Sequence, residues 1–210
     1  MNIRPTSALL VLLTAALSSC GGGGGSGTST TVSAGLKIFA TAATHNGGFK
    51  NDNLLVGSTA MEKADNFCQT DANRPDSGTY KAILVDGVSR DALTPLDWVL
   101  KPNTTYYQAD NNVVIGTTTA AALFGQNLEN DIHDSFGISG GNNANTSTVY
   151  TGFADPVSYT ATSQNCGAWS DPTNAETAPY GISYGKDGSE WQAPGGQVCS
   201  LPSRLYCAEQ

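Results

Sequence analysis

Gly181-Ile182-Ser183-Tyr184-Gly185 has the spacing of a nucleophile elbow, where a serine hydroxyl stands on a sharp turn between a strand and a helix. The chemistry would be acyl transfer, with the serine attacking and a histidine taking its proton. The flanks, Ala178-Pro179-Tyr180 and Lys186-Asp187-Gly188, predict neither the strand nor the helix. No histidine lies beyond Ser183, as the chain order of that fold requires. His133-Asp134-Ser135 sets three catalytic residue types side by side. A triad is defined by convergence in space, which adjacent residues do not readily achieve, so a polar surface loop is the plainer reading. The cysteines include no Cys-x-x-Cys pair, and His45 and His133 are far apart, so no zinc site is expected. The glycines at 21–25 are not followed by Gly-Lys-Ser/Thr and form no phosphate loop. The chain is therefore expected not to be an enzyme.

Aromatic contact is the remaining chemistry. Tryptophan is enriched in binding hot spots. Trp98 and Trp169, flanked by apolar residues or a cysteine, read as core. Trp191, in Ser189-Glu190-Trp191-Gln192 within a long polar loop, is the expected exposed ligand contact.

The chain that must position these groups is 210 residues long, enough for one domain with appendages. Arg4 and the apolar stretch at 8–17 have the form of a signal peptide, too short to span a bilayer. Leu17-Ser18-Ser19-Cys20 reads as a lipobox, so residues 1–19 are expected to be removed and Cys20 lipidated. Residues 20–35, rich in Gly, Ser and Thr, then read as a flexible tether to an ordered domain at 36–210. The expected location is the bacterial cell envelope, as an outer-membrane lipoprotein held through its lipid. Without residues 1–19 the chain has nine Lys and Arg against 18 Asp and Glu, a net charge of −9. That argues against nucleic acid, whose binding needs clustered cations, and against a polybasic membrane contact.

Four cysteines remain in the domain: Cys68, Cys166, Cys199 and Cys207. In an exported protein they imply two disulfides, with three pairings open. Leu36-Lys37-Ile38-Phe39-Ala40-Thr41 predicts a first strand. Thr59 and Glu62 have capping-box spacing at the start of a helix. Its face carries Met61, Ala64, Cys68 and Ala72, and Asn73-Arg74-Pro75 ends it. Further strands are expected over 79–87, at Val113-Val114-Ile115, over 149–153, around 166–169 and over 204–208, with a turn of helix at 120–124 and a long loop over 171–197.

In this order the elements resemble a known fold. A helix carrying Cys68, the Tyr150-Thr151-Gly152-Phe153 strand, Asn165-Cys166-x-x-Trp169, Cys199 and Leu205-Tyr206-Cys207-Ala208-Glu209 resemble the C-type lectin-like fold. Ala64-Asp65-Asn66-Phe67-Cys68, Tyr80-Lys81-Ala82-Ile83-Leu84-Val85-Asp86-Gly87, Arg90-x-Ala92 and Asp97-Trp98-Val99-Leu100 resemble the bacterial domain of unknown function numbered 1554. That family is similar to endostatin and includes leptospiral endostatin-like outer-membrane lipoproteins. The resemblance covers 36–210. It implies an α+β, C-type lectin-like or endostatin-like domain with long loops and two nested disulfides, Cys68–Cys207 and Cys166–Cys199. It also implies a non-catalytic surface module that adheres to proteins or extracellular matrix, and the loop-rich segments 101–146 and 171–197 are the expected contact surface, since loops on a stapled scaffold commonly carry recognition. The alternative is a carbohydrate-binding protein.

Sugar-binding members of the fold hold calcium with a Glu-Pro-Asn or Gln-Pro-Asp loop and a Trp-Asn-Asp stretch, whose oxygens complete the ion's shell. Between Cys166 and Cys199 the nearest matches are Trp169-Ser170-Asp171 and Asp171-Pro172-Thr173-Asn174, which make Asp171 and Asn174 the candidate ligand-binding residues. As plain turn formers they need no ligand. Lys101-Pro102-Asn103 lies in the wrong part of the chain. The histidine cluster that binds metal in endostatin has no counterpart around His45. No cofactor or metal is expected.

Overall fold

The computed structural model describes residues 35–132 and 148–210. The expected signal peptide, Cys20, nearly all of the tether, His133-Asp134-Ser135 and the loop at 140–145 lie outside the described residues. The described chain is mixed α+β, mostly sheet, with two disulfides, Cys68–Cys207 and Cys166–Cys199.

The central sheet has five strands: β1 (Leu36–Ala40), β2 (Tyr80–Ala82), β3 (Thr105–Gln108), β4 (Val114–Thr117) and the C-terminal strand, β9 (Tyr206–Glu209). Their order is β2-β9-β1-β3-β4. The last strand is thus inserted between the first two, antiparallel to both. β1 runs parallel to β3. Two small antiparallel pairs complete the strands: β5 (Thr148–Tyr150) with β7 (Tyr180–Ile182), and β6 (Thr177–Ala178) with β8 (Gln197–Val198).

Both faces of the sheet are buried, and successive side chains serve opposite faces because the strand period is two. Phe39, Leu84, Leu205 and Cys207 join a core with the helix, Tyr150, Trp169 and the other three disulfide cysteines. Ile38, Ala40, Ile83, Val85, Tyr206 and Ala208 join a second core with Tyr106, Phe124, Phe153, Tyr159 and Trp191. This two-sided burial explains why these strands read as near-continuous apolar runs.

The helix, α1 (Ala60–Thr70), starts where expected. The Glu62 amide donates to Thr59 Oγ1 at 3.1 Å, and the Thr59 amide to Glu62 Oε2 at 3.0 Å. It ends before the expected Asn73. The Asp71 carboxylate, at an extended C-cap, accepts from the amides of Ala42 (2.8 Å), Ala43 (3.0 Å) and Asn73 (2.8 Å). That tertiary demand, two residues of it from the loop after β1, unwinds the last turn.

Arg90 binds the helix to the sheet. Its side chain is fully buried and meets both Asp65 oxygens at 2.8 Å, Asp97 Oδ2 at 2.5 and 3.1 Å, and the Ala82 carbonyl at 2.8 Å. Asp65 also accepts the Ala82 amide at 2.9 Å.

Several expectations need correction. Residues 120–124 form a tight turn rather than helix: Ala122 has φ 59°, its amide donates to Thr119 O, and Trp98 Nε1 donates to its carbonyl. The turn lets Phe124 drop into the core, which a helix would not. Residues 166–169 are a helical turn and not a strand. The 171–197 loop carries β6, β7 and β8. The strands expected over 79–87 and 149–153 are shorter, at β2 and β5, although Ile83 still donates to Tyr206 O and Val85 to Thr151 O. β3 was legible only as polar chain, yet Tyr106 and Gln108 alternate inward.

Candidate functional site

The inner disulfide, Cys166–Cys199, gathers three loops. The Gly47 amide donates to Cys199 O at 2.7 Å, and a Cβ on Gly47 would lie 2.4 Å from Cys166 Sγ. Only glycine lets the chain after His45 pass so close to the sulfur. Across the disulfide, Cys166, Gly167, Ala168 and Trp169 all have φ between 53° and 60°. This is one turn of left-handed helix, which disfavours L-residues by roughly 1–2 kcal/mol each. It is held by the Asn165 side chain, which accepts the Ala168 amide at 2.8 Å, and by Trp169, buried with Nε1 donating to Val85 O at 2.9 Å. Over-determined backbone of this kind clusters at functional sites.

The segment after this turn borders two polar clefts. One, about 230 Å3, is lined by His45, Asn46, Gly48, Asn51, Asp52 and Pro172. The other, about 320 Å3, is lined by Ser163, Gln164, Ala175, Glu176 and Thr177. Asn51 Nδ2 donates to Ser170 O at 2.6 Å and ties the first cleft to the left-handed turn.

At the floor of the first cleft the His45 ring stacks on Phe49, centroids 4.1 Å apart. Nδ1 lies 2.5 Å from Asn46 O and Nε2 3.0 Å from Asp52 Oδ2. Both neighbours are acceptors, so the ring satisfies both only when both nitrogens carry hydrogen. The hydrogen bond from His45, then that from the Leu54 amide, holds the Asp52 carboxyl below the usual carboxylate range. A carboxyl with a depressed folded-state value stabilises the fold above its unfolded value, near 3.9, and that contribution disappears as pH falls through the folded value. Asp52→Asn should therefore lower the melting temperature at pH 6 and make little difference at pH 2. An equal deficit at both pH values, measured by thermal melts, would assign the effect to packing alone.

Beyond the cleft the chain turns outward. Leu54 is 92% and Val56 75% exposed, while Leu55 between them packs against the core. The turn is fixed by Asp52 Oδ1, which accepts the Leu54 amide at 2.7 Å, and by Asn66 Oδ1, which accepts that of Val56 at 3.0 Å. Sequence reasoning misses this pair because Leu54-Leu55-Val56 is an unbroken apolar run with no period to show which side chain is inside.

The candidate residues fare differently. Asp171 accepts the Thr173 amide at 2.7 Å as a turn former, and Asn174 Oδ1 accepts from Ser200 Oγ. Asp171 immediately precedes Pro172, which lines the first cleft, but neither Asp171 nor Asn174 is among the lining residues. Among the described residues no three His, Cys, Asp or Glu side chains are grouped to hold a metal. Trp191 is not an exposed contact: it is fully buried, stacked on Phe124 at 5.7 Å and edge-on to Tyr206 at 5.6 Å. Its polar neighbours pointed to solvent, but the loop folds back and takes even Glu190 inside. Ser183 is buried as well. A strand, β7, does precede it, against expectation, but a turn follows in place of a helix. A Cβ on Gly181 would lie 1.7 Å from Glu190 O, so the first glycine of the motif serves chain packing rather than a nucleophile.

A family model described as protein of unknown function (DUF1554) matches residues 45–186. No curated protein matches the chain.

Proposed function

The chain belongs to that family, and on this premise we propose that it is a non-catalytic binding module that adheres to proteins, with extracellular matrix as the expected class. The observation that carries the reading is the surface beside the inner disulfide. Two bare aliphatic side chains, Leu54 and Val56, follow closely on Asp52, a lining residue of the first cleft, and stand beside its polar side chains His45, Asn46 and Asn51. An apolar centre with a polar border is the anatomy of a protein contact, and loops on a stapled scaffold commonly carry recognition. The finer fold reading, C-type lectin-like or endostatin-like, belongs to this proposal: the two nested disulfides and the terminal strand inserted beside the first support it. We propose with it attachment at the envelope through a lipid on Cys20. No helix among the described residues is long and apolar enough to cross a membrane.

The test is a binding screen of the unlipidated Cys20→Ser chain against matrix-protein and glycan arrays, with and without calcium. Saturable binding to immobilised laminin or fibronectin is expected, weakened at least tenfold by Leu54→Asp with Val56→Asp, since truncating one hot-spot residue typically removes about 2 kcal/mol or more. Binding that survives this double change overturns the surface assignment. The second reading, a carbohydrate-binding protein, rests on the hydrogen-bonding side chains among the lining of both clefts, Asn46, Asn51, Gln164 and Thr177 among them. Glycan binding lost on Asn51→Ala, with no protein bound, would establish it instead.

A further inference from the structure

Residues 182–193 form a loop that doubles back into the molecule. The Ile182 amide donates to Ser189 O at 2.9 Å, the Ala193 amide to Tyr180 O at 2.7 Å, and Thr151 Oγ1 to Trp191 O at 2.7 Å. Its outer limb exposes Tyr184 by 61%, while its inner limb drives Glu190 and Trp191 to complete burial. Trp191 fills the centre of one core against Phe124, Phe153, Tyr159 and Tyr206.

Glu190 is unusual in this company. Its Oε2 accepts the Gly188 amide at 2.8 Å, but Oε1 has no hydrogen-bond partner, and neither has Trp191 Nε1 next to it in the chain. Among the described residues no cation pairs with it. The charged group that acts on it is Asp187, in the same loop, and it opposes a second negative charge. Tyr159, from the loop after β5, is a buried neutral phenol that adds no cation. Leaving an ionised carboxylate in such surroundings is expensive, and the group takes up a proton instead. Burial first, with Asp187 adding to it, pushes the Glu190 carboxyl above its usual range, and its own backbone amide and that of Gly188 only partly oppose this.

We propose that Glu190 is a protonation latch: as a neutral acid it lets residues 183–191 plug the core, and its ionisation releases the segment and uncovers Trp191. The sign follows from linkage. A carboxyl whose folded-state value is raised binds more protons folded than unfolded, so the closed loop is fully stable below the unfolded value, near 4.3, and loses stability as pH rises through the folded value. The loop therefore opens toward the alkaline side.

The test is amide hydrogen exchange of the full chain between pH 5 and 8, corrected for the intrinsic rate, with Glu190→Gln alongside. The glutamine keeps an acceptor for Gly188 and cannot ionise. In the wild type, protection of amides 182–191 should fall by up to about tenfold per pH unit relative to the glutamine variant. Over the same interval its melting temperature should fall by roughly 3–5 °C per unit relative to that variant. Comparison with the variant removes the contributions of all other groups. Parallel falls in both proteins, or no fall in either, overturn the latch. Should Glu190→Gln fail to fold, Glu190→Met provides the same uncharged control.

Discussion

Arg90→Ala will lower the stability of the domain by about 3–5 kcal/mol, the range for removing one partner of a buried ion pair. The magnitude comes from what remains rather than from the bonds lost. Arg90 is wholly buried and neutralises Asp65, whose side chain is 18% exposed, and Asp97, at 41%. Without it, Asp65 is left as a carboxylate under the helix with only the Ala82 amide to accept from, and the Ala82 carbonyl loses its guanidinium donor. Arg90→Lys should be nearly as damaging, because one ammonium cannot meet both oxygens of Asp65 and reach Asp97 as well. Asp97→Ala should cost about 1 kcal/mol or less, since that carboxylate is half in water and shared with Lys81 at 2.6 Å. Urea unfolding at constant slope orders the three variants. An Arg90→Ala midpoint close to the wild type would show that Asp65 finds water or another donor, and would remove the guanidinium as the tie between α1 and β2.

The same arginine shows how far sequence reaches. Arg90-x-Ala92 and Asp97-Trp98 mark the family, yet nothing in their spacing says that Arg90 meets Asp65, twenty-five residues upstream. Local chemistry was legible: the Thr59 and Glu62 cap is complete within four residues and appears as read. Non-local chemistry was not. Asp71 stops the helix because of amides at 42 and 43, and β3 is a strand because β1 lies parallel beside it. Trp191 was misplaced for a related reason. Composition describes a loop as polar, but burial depends on where the loop's ends are tied, and β7 and Ala193 tie this one inward. At the candidate site, Asp171 and Asn174 were singled out by likeness to calcium-sugar motifs and prove to be turn and loop ties, whereas the His45–Asp52 pair depends on Phe49 holding the ring. The left-handed turn at Cys166 has no local signal beyond Gly167, because three of its four residues are ones that avoid that conformation.

Removing the outer disulfide with Cys68→Ala and Cys207→Ala will lower stability by about 4–5 kcal/mol, and removing the inner one with Cys166→Ala and Cys199→Ala by about 3–4 kcal/mol. The bridges span 139 and 33 residues, and in the chain-entropy model the effect grows with the logarithm of the loop closed. Because one loop lies inside the other, the two might be thought to share their effect. They do not share much. With the inner bridge in place, the free part of the outer loop is shorter by the 33 residues already closed off, which changes its closure entropy by only about 0.2 kcal/mol. The losses should therefore nearly add, to about 8 kcal/mol, comparable with the whole stability of a typical domain. All four sulfurs also sit in one core with the helix and Trp169, so alanine substitution adds small cavities in the same direction. The fully reduced chain should be unfolded at 37 °C by circular dichroism, while either single-bridge variant remains folded with a lowered melting temperature. If the two bridges proved strongly non-additive, the unfolded chain would have to retain structure that already holds β9 near the helix. The two variants also separate stability from recognition. The outer bridge fastens β9 to the helix and touches neither cleft lining, so its loss should weaken binding per folded molecule less than loss of the inner bridge. Loss of the inner bridge, on which Gly47 and the left-handed turn both rest, should weaken binding even where the fold survives.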